Sequence, residues 1–260
     1  MSNEKKLLAK KARQIALKMV SEAKTAHIGS SLSLIDIAIQ LFSKTLSQPN
    51  RLDLVLISKG HAAAGVYAVL NTLEEIPDAW IARYCQNGAE LGGHVTSTNV
   101  PLLELSTGSL GHALPFGIGR ALAMATNADG GHVYVVLSDG ECDEGSNWEA
   151  ALLASHLKLK NLTVVIDRNH LQSLAGTEET IAIEPLLNKW EAFNWETFEI
   201  NGHDFSDLEL ITNHQSQTCP RIYIANTIKG QGVSFMENSV RWHYRPPNDF
   251  ELEEALKGLE

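Results

Sequence analysis

Two uninterrupted apolar runs, separated by a segment with helical periodicity, constrain the fold of this chain more than any other feature. The runs are HVYVVL at 132–137 and LTVVID at 162–167. Their continuous apolar character predicts strands that are buried on both faces, as in parallel sheets. Between them, Ser146 and Glu149 have the spacing of a capping box, which predicts the start of a helix. Strand, helix and strand within about 35 residues form a βαβ unit.

Weaker patterns extend this unit along the rest of the chain. The helix between the two runs is predicted to bury one face, formed by Trp148, Ala151, Leu152, Ser155 and Leu159. Further helices are predicted at 4–23, from Ser33 (with capping-box spacing to Asp36), at 61–73 and near Ser206. Further strands are predicted at 54–57, 195–200 and 221–226. We therefore expect one α/β domain over 1–260, with a mostly parallel central sheet and helices on both faces.

Charge and composition exclude several classes of protein. Lys and Arg total 21 against 31 Asp and Glu, so the net charge of −10 disfavours binding to nucleic acid or to anionic lipid. No run of 18 apolar residues predicts a membrane span, and the basic first segment is periodic like an amphipathic helix rather than a signal peptide. The three scattered cysteines form neither a disulfide framework nor a zinc motif. We expect a cytoplasmic protein that acts on small molecules.

Polar residues follow three of the predicted strands at the point where each strand ends. These segments read Ser-Lys-Gly-His at 58–61, Ser-Asp-Gly-Glu at 138–141 and Asp-Arg-Asn-His at 167–170. Open parallel sheets bind their ligands at the carboxyl ends of the strands. We therefore expect the functional site at this edge of the sheet.

Two of these strand ends carry oxygen ligands suited to a hard cation. Asp139 ends one strand and Asn169 ends its neighbour, and a backbone carbonyl just beyond Asn169 would add a third oxygen. Mg²⁺ held this sparsely completes its shell with water and phosphate oxygens, so the pattern predicts a magnesium-diphosphate site. A plain strand-to-helix turn capped by Asp139 is the alternative. A calcium loop is excluded, since Glu144 stands where glycine is needed and Ala150 where glutamate is needed.

The order of these motifs resembles the transketolase family. Asp139-Gly140, the Trp148-Glu149-Ala150 helix and Asn169, 30 residues after Asp139, look like the thiamine diphosphate signature of that family. Further segments resemble the family in the same order: His27-Ile28-Gly29, Ser58-Lys59-Gly60-His61, Gly93-His94, 106–111, 189–195, Gly202-His203-Asp204, 227–232 and Trp242-His243. The resemblance covers nearly the whole chain. It implies a thiamine diphosphate-binding fold of the diphosphate-binding type.

The resemblance also implies how the cofactor and its metal would be held. Asp139, Asn169 and the Leu171 carbonyl would bind Mg²⁺, or Ca²⁺ or Mn²⁺ in its place, and the metal would hold the cofactor diphosphate. Gly140 would donate its backbone N–H to a phosphate. Glu144 would lie near the subunit contact, linked to the acid that activates the cofactor.

At the other end of the cofactor, the resemblance implies a pocket lined by Gly108 and Leu110, with His61 also in contact with the cofactor. Four histidines would surround the reacting carbon, bind substrate hydroxyls and transfer protons: His27, His61, His94 and His243. The sequence departs from the family at Ser138, which replaces a glycine, at His112, and at Tyr244, which follows the last histidine in place of glycine. The last two changes would alter the route by which substrate enters.

The length of the chain shapes the functional expectation. A complete transketolase carries this domain, then a pyrimidine-binding domain and a C-terminal domain, whereas this chain has 260 residues. We expect the N-terminal subunit of a split transketolase, active only with a C-terminal subunit in an α₂β₂ particle. It would transfer a two-carbon ketol unit from a ketose or its phosphate to an aldose.

Other functions remain open at this point. A subunit of a 2-oxo acid dehydrogenase shares the metal signature but lacks the segments at 58–61 and 107–111, and deoxyxylulose-phosphate synthase is disfavoured for the same reason. A non-catalytic remnant of the fold is a third alternative. A dinucleotide site at Gly117-x-Gly119 is excluded, since no strand precedes it.

Overall fold

Five parallel strands form a single sheet in the order β1-β2-β3-β5-β4 in the computed structural model, which describes residues 2–127, 130–213 and 218–260. The strands are β1 (Leu54–Ile57), β2 (Val133–Ser138), β3 (Leu162–Arg168), β4 (Glu196–Asn201) and β5 (Arg221–Asn226). The helices are α1 (Ser2–Ala23), α2 (Ile28–Leu46), α3 (Ala63–Thr72), α4 (Asp78–Ile81), α5 (Ala113–Asn127), α6 (Gly145–His156), α7 (Thr177–Thr180), α8 (Leu186–Ala192), α9 (Phe205–Asn213) and α10 (Asp249–Gly258). The α/β architecture predicted from the sequence is confirmed.

The sheet separates two hydrophobic clusters. Along β2, Tyr134 and Val136 face the cluster formed with α1, α2 and α3, while Val133, Val135 and Leu137 face the cluster formed with α5 and α6. Successive side chains of a strand point to opposite faces, and both faces are covered by helices here. This is why the strands read as continuous apolar runs.

Helix α2 begins earlier than predicted, directly after His27. Ser33 is therefore inside the helix and caps nothing; its Oγ donates to Asp167 Oδ2 at 2.7 Å. Asp36 is held by Arg13 in a buried ion pair. The two residues matched a capping box because both are polar, but their partners are distant in sequence.

The predicted burial of α6 is wrong in part. Ala151 is buried as expected, but Leu152 is 61% exposed, and the helix instead packs through small residues: Asn147, Ala150, Ala151 and Ala154. The helix starts at Gly145, and Ser146 Oγ donates to the Gly111 carbonyl at 2.7 Å rather than capping the helix. Small side chains on the inner face allow α6 to approach the sheet closely. The periodicity of large apolar residues did not reveal this packing.

Other differences from the predicted boundaries are small. Strands β2 and β4 each begin one residue later than predicted, and α1 begins two residues earlier. The segment predicted as one helix at 61–73 is a 3₁₀ turn, Gly60–Ala62, followed by α3. Helix α5 was not predicted, since Pro115 and Gly117 interrupt its pattern; a proline in the first turn of a helix is tolerated. Among the described residues, no helix is long and apolar enough to span a membrane.

Gly117 and Gly119 on α5 provide a matched test of this packing. A Cβ on Gly117 would lie 2.8 Å from Val135 Cγ2, whereas a Cβ on Gly119 would meet nothing within 4 Å. Gly117→Ala should lower the free energy of unfolding by about 1–3 kcal/mol through overpacking. Gly119→Ala should raise it by up to about 1 kcal/mol, because alanine favours the helix. Urea denaturation measures both, and equal effects would contradict the packing of α5 on β2.

Candidate active site

A cavity of about 280 Å³ opens at the carboxyl ends of β1, β2 and β3. Ten of the residues predicted from the sequence line it: His27, His61, His94, Gly108, Leu110, Asp139, Gly140, Asn169, Leu171 and His243. Glu144 lies outside the cavity, exposed at the start of α6. The structure therefore brings together residues spread over most of the chain.

Four histidine rings meet at one end of the cavity. The ring of His27 lies 5.4 Å from that of His61, 5.8 Å from that of His94 and 4.9 Å from that of His243. His27 precedes α2 in a left-handed conformation, with φ of 72°, and its N–H donates to the His243 carbonyl at 2.7 Å. This backbone bond fixes the beginning of α2 against the 3₁₀ turn Val240–His243.

Burial keeps the inner histidines uncharged at neutral pH. Burial, aided by the charges of His94 and Lys229, lowers the pKa of His27 to about 4. Burial and the Lys229 charge lower the pKa of His243 to about 3. The pKa of His61 is also well below its ordinary value, through burial and then the charge of Lys59. A neutral imidazole offers one donor and one acceptor, which suits the binding of hydroxyl groups and the transfer of their protons.

At the other end of the cavity, Asp139 supplies a buried carboxylate that is only 2% exposed. Its Oδ1 accepts the Gly140 N–H at 2.8 Å, and its Oδ2 accepts the His170 N–H at 2.6 Å. Burial and the neighbouring charge of Asp167 raise the pKa of Asp139. Within the described parts of the chain, no lysine or arginine forms an ion pair with Asp139. A bound cation would stabilise this carboxylate.

The neighbouring oxygens fit a divalent cation. Asn169 Oδ1 accepts the Leu171 N–H at 3.2 Å, and the Leu171 carbonyl accepts a hydrogen bond from Lys229 Nζ at 2.9 Å. A carbonyl has two lone pairs, so this bond leaves one for a metal. In residues 2–127, 130–213 and 218–260, no cluster of three His, Cys, Asp or Glu could hold a metal. One carboxylate with two neutral oxygens suits Mg²⁺ that is also bound by ligand phosphates.

Two buried lysines belong to this site, and sequence reasoning assigned neither a role. Lys59 forms a buried ion pair with Asp167, and Lys229 Nζ lies 3.1 Å from His243 Nδ1. Burial and the nearby Lys59 charge lower the pKa of Lys229 to about 8. Each lysine follows a strand end and precedes a glycine, Gly60 or Gly230. This position was the only feature of the sequence that could have indicated a role for them. Their ammonium groups make the cavity suitable for an anionic ligand such as a diphosphate.

Hydrogen bonds to the buried side chain of Glu141 fix the loop that carries Gly108 and Leu110. Glu141 is fully buried and accepts the Gly111 N–H at 2.8 Å, the Ser138 N–H at 3.2 Å and the hydroxyl of Ser58. The same loop packs directly against Gly60, where any side chain would clash, since a Cβ there would lie 2.3 Å from the Thr107 carbonyl oxygen. Glu141 therefore positions the loop and is occupied by protein donors.

Of the three positions that depart from the resemblance, Ser138 and Tyr244 line the cavity and His112 lies outside it. Tyr244 is 59% exposed at the mouth, with its ring 5.9 Å from that of His27 and 4.8 Å from that of His243. His112 is exposed, and its Nδ1 lies 2.9 Å from the Leu110 carbonyl. Ser138 is buried at the end of β2. Of these three residues, Tyr244 is therefore the one that an entering substrate would contact most directly.

The model of the transketolase thiamine diphosphate-binding domain matches residues 4–257 of this chain. The chain belongs to the transketolase family. It is 38% identical to one of the subunits of the apulose-4-phosphate transketolase of Actinobacillus succinogenes, over 97% of this chain and 95% of that protein. It is 30% identical to 6-deoxy-6-sulfo-D-fructose transketolase subunit SqwG of Clostridium sp., over 89% of this chain and 87% of that protein.

Solved transketolases share the fold of this family member. The transketolase of Leishmania mexicana superposes with a TM-score of 0.88 at 24% identity, over 98% of this chain and 41% of that one. The transketolase of Campylobacter jejuni superposes with a TM-score of 0.88 at 26% identity, over 97% of this chain and 42% of that one. The chain therefore spans about two fifths of the length of these solved transketolases.

The depressed pKa of His27 predicts how stability depends on pH. Between about pH 4 and pH 6.5 the unfolded chain binds a proton at His27 that the folded chain excludes, so stability rises with pH across this window. His27→Asn should flatten the slope of unfolding free energy against pH there, by up to about 1 kcal/mol per pH unit. Urea denaturation at a series of pH values tests this. Parallel curves for the wild type and the variant would show that His27 is not held neutral by the fold.

Proposed function

We propose that this chain is the N-terminal, thiamine diphosphate-binding subunit of a cytoplasmic two-component transketolase. It would transfer a two-carbon ketol unit from a ketose or ketose phosphate to an aldose, as a glycolaldehyde transferase. The observation that carries the proposal is one cavity with two chemically distinct ends. The histidines line one end, of which His27, His61 and His243 are neutral, while Asp139 and Asn169 line the other. Lys229 lies between the two ends, with its Nζ 2.9 Å from the Leu171 carbonyl oxygen and 3.1 Å from His243 Nδ1.

The charged end suits the cofactor diphosphate and its metal. Asp139, Asn169 and the Leu171 carbonyl would hold Mg²⁺, with Ca²⁺ or Mn²⁺ as substitutes. Lys229 would place its positive charge near the phosphates. The Gly140 N–H, which donates to Asp139 Oδ1 in this structure, would be released to a phosphate oxygen once the metal binds Asp139. A buried carboxylate whose pKa is raised by burial gains from binding a cation, which supports this end as the metal site.

The neutral end suits a sugar. When bound, thiamine diphosphate supplies the nucleophilic carbon and the electron sink for breaking the ketose C2–C3 bond. His27, His61, His94 and His243 would bind sugar hydroxyls there and take or return the proton of the hydroxyl beside the broken bond. Because the rings of His27, His61 and His243 are uncharged, these three can act as proton acceptors at neutral pH. Gly108 and Leu110 would line the wall against the cofactor rings.

A partner subunit is supported by the surface of α5 and α6, which pack against each other. Their exposed large apolar side chains are Phe116, Leu122, Leu152 and Leu153. Exposed apolar surface of this kind is typical of protein–protein interfaces. Glu144, at the start of α6, is exposed beside this surface. We propose that a subunit with the pyrimidine-binding and C-terminal domains covers it, in a two-fold α₂β₂ particle.

The names of the relatives support a sugar phosphate or a related anionic sugar as donor. Two relatives act, by name, on apulose 4-phosphate and on 6-deoxy-6-sulfo-D-fructose. Both names describe ketoses with an anionic group. We propose a donor of this class, with pentose phosphates as the first substrates to test.

Cofactor binding tests the charged end directly. Asp139→Ala and Asn169→Ala should each weaken Mg²⁺-dependent binding of thiamine diphosphate by about 100-fold or more, because each removes a metal ligand. Glu253→Ala, which removes an exposed carboxylate from α10 and leaves α5, α6 and the cavity unchanged, should bind like the wild type. Calorimetric titration with and without Mg²⁺ measures this in the assembled enzyme. Unchanged binding in both site variants would refute the metal assignment.

Reconstitution tests the two-component enzyme. The chain alone should not transfer a ketol unit from xylulose 5-phosphate to ribose 5-phosphate, and the mixture with its C-terminal partner should do so when thiamine diphosphate and Mg²⁺ are present. If the mixture binds the cofactor but transfers a ketol unit only from apulose 4-phosphate, the proposed enzyme class stands and the proposed donor changes. Failure of the mixture to bind the cofactor would favour a non-catalytic remnant.

A further inference from the structure

A second and larger cavity, of about 640 Å³, lies at the opposite edge of the sheet. Residues that begin or directly precede the strands line it, including Asp53 before β1, His132 before β2 and Arg221 at the start of β5. We refer to it as the amino-edge cavity. The proposed transketolase site lies at the carboxyl edge, so that function leaves the amino-edge cavity without a role.

Arg221 is the unusual member of this cavity. Its side chain is 1% exposed, and its Nε and Nη1 have no hydrogen-bond partner. Its Nη2 lies 3.4 Å from His132 Nε2, and the guanidinium also interacts with the side chain of Tyr223. Across the described ranges no carboxylate forms an ion pair with Arg221, although Glu196 is in register with it on β4. A guanidinium stays charged in proteins, so this buried cation lacks a counter-ion.

Three groups near Arg221 are neutral: His132, Tyr134 and Tyr223. Burial and the Arg221 charge lower the pKa of His132 to about 3, so its ring is uncharged. Burial raises the pKa of both Tyr134 and Tyr223, which keeps their hydroxyls protonated. The Tyr223 hydroxyl already donates to the Leu210 carbonyl at 3.1 Å. Protein groups therefore solvate the guanidinium without neutralising it.

The mouth of the cavity adds further positive charge. Lys44, Lys158 and Lys160 line it with Arg221, against one carboxylate, Asp53. The oxygens of Asp53 already accept the His132 N–H at 2.9 Å and Gln48 Nε2 at 2.5 Å. Lys44 lies in the last turn of α2, where a cation stabilises the helix, but Arg221 begins a strand and has no such explanation. The excess of cations stands out in a chain with a net charge of −10.

We propose that the amino-edge cavity binds a small phosphate-type oxyanion, with Arg221 as its buried anchor and the three lysines at its mouth. Four cations against one carboxylate favour a dianion over a singly charged ligand. The lysines would donate charge-assisted hydrogen bonds to phosphate oxygens at the mouth, and the unpaired guanidinium of Arg221 would attract the anion from the wall of the cavity. Inorganic phosphate and the phosphate of a sugar ester share this chemistry. The site is independent of the proposed transketolase activity.

Calorimetric titration of the full chain with inorganic phosphate and with ribose 5-phosphate tests the site. Lys229→Met serves as the background, because it removes a buried cation from the cavity at the carboxyl edge. In that background, Arg221→Met should weaken phosphate binding about tenfold or more and abolish the rise in melting temperature that phosphate causes. Arg83→Met, which removes an exposed cation paired with Glu90, is the matched control. It should change neither phosphate binding nor the rise in melting temperature that phosphate causes.

Arg221→Met should fold, since an apolar side chain replaces an unpaired buried charge. Without phosphate, its melting temperature should equal or exceed that of the background protein. If the variant fails to fold, the exposed pair Lys158→Met with Lys160→Met should still weaken phosphate binding severalfold. Preference for the ester or for inorganic phosphate would identify the ligand. Absence of binding in the background, or equal binding after Arg221→Met, would overturn the proposal.

Discussion

The buried ion pair between Lys59 and Asp167 is the contact on which the arrangement of the carboxyl edge depends. Both side chains are fully buried, and Asp167 also accepts hydrogen bonds from Ser33 in α2 and Thr227 after β5. One carboxylate thus joins the ends of three strands to a helix. Burial alone would raise the pKa of Asp167, but the Lys59 charge and these hydrogen bonds lower it, so the pair is ionised. Loss of either partner would leave a buried charge uncompensated.

This ion pair also connects the two ends of the cavity electrostatically. Lys59 contributes to the low pKa of His61, and Lys229 contributes to those of His27 and His243. The same positive charges that suit a diphosphate therefore discourage protonation of the histidines. An anion at the charged end would weaken this effect and raise the basicity of the rings. Ligand binding at one end is in this way coupled to proton affinity at the other.

Local patterns in the sequence predicted the strands and the positions of Asp139 and Asn169, and the resemblance to transketolases implied the other site residues. Neither revealed the contacts made across the fold. β2 and β3 were evident because strands buried on both faces lack polar alternation. The Asp139 and Asn169 positions followed from the strand ends. The pairing of Lys59 with Asp167 spans 108 residues and leaves no local pattern, and neither do the neighbours of Arg221. Ser33 and Leu152 were misassigned for the same reason, since distant partners and the packing distance of α6 decide their environment.

The proposed covering of α6 by a partner subunit has a consequence for how this protein would behave in a cell. Leu152 and Leu153 contribute nothing to the core, so selection for folding alone would permit polar residues there. A free subunit with such a surface is prone to self-association and to capture by chaperones and proteases. The steady-state abundance of the chain would then be set by how much of the covering protein is made. Balanced synthesis of the two proteins would matter more than the intrinsic stability of either.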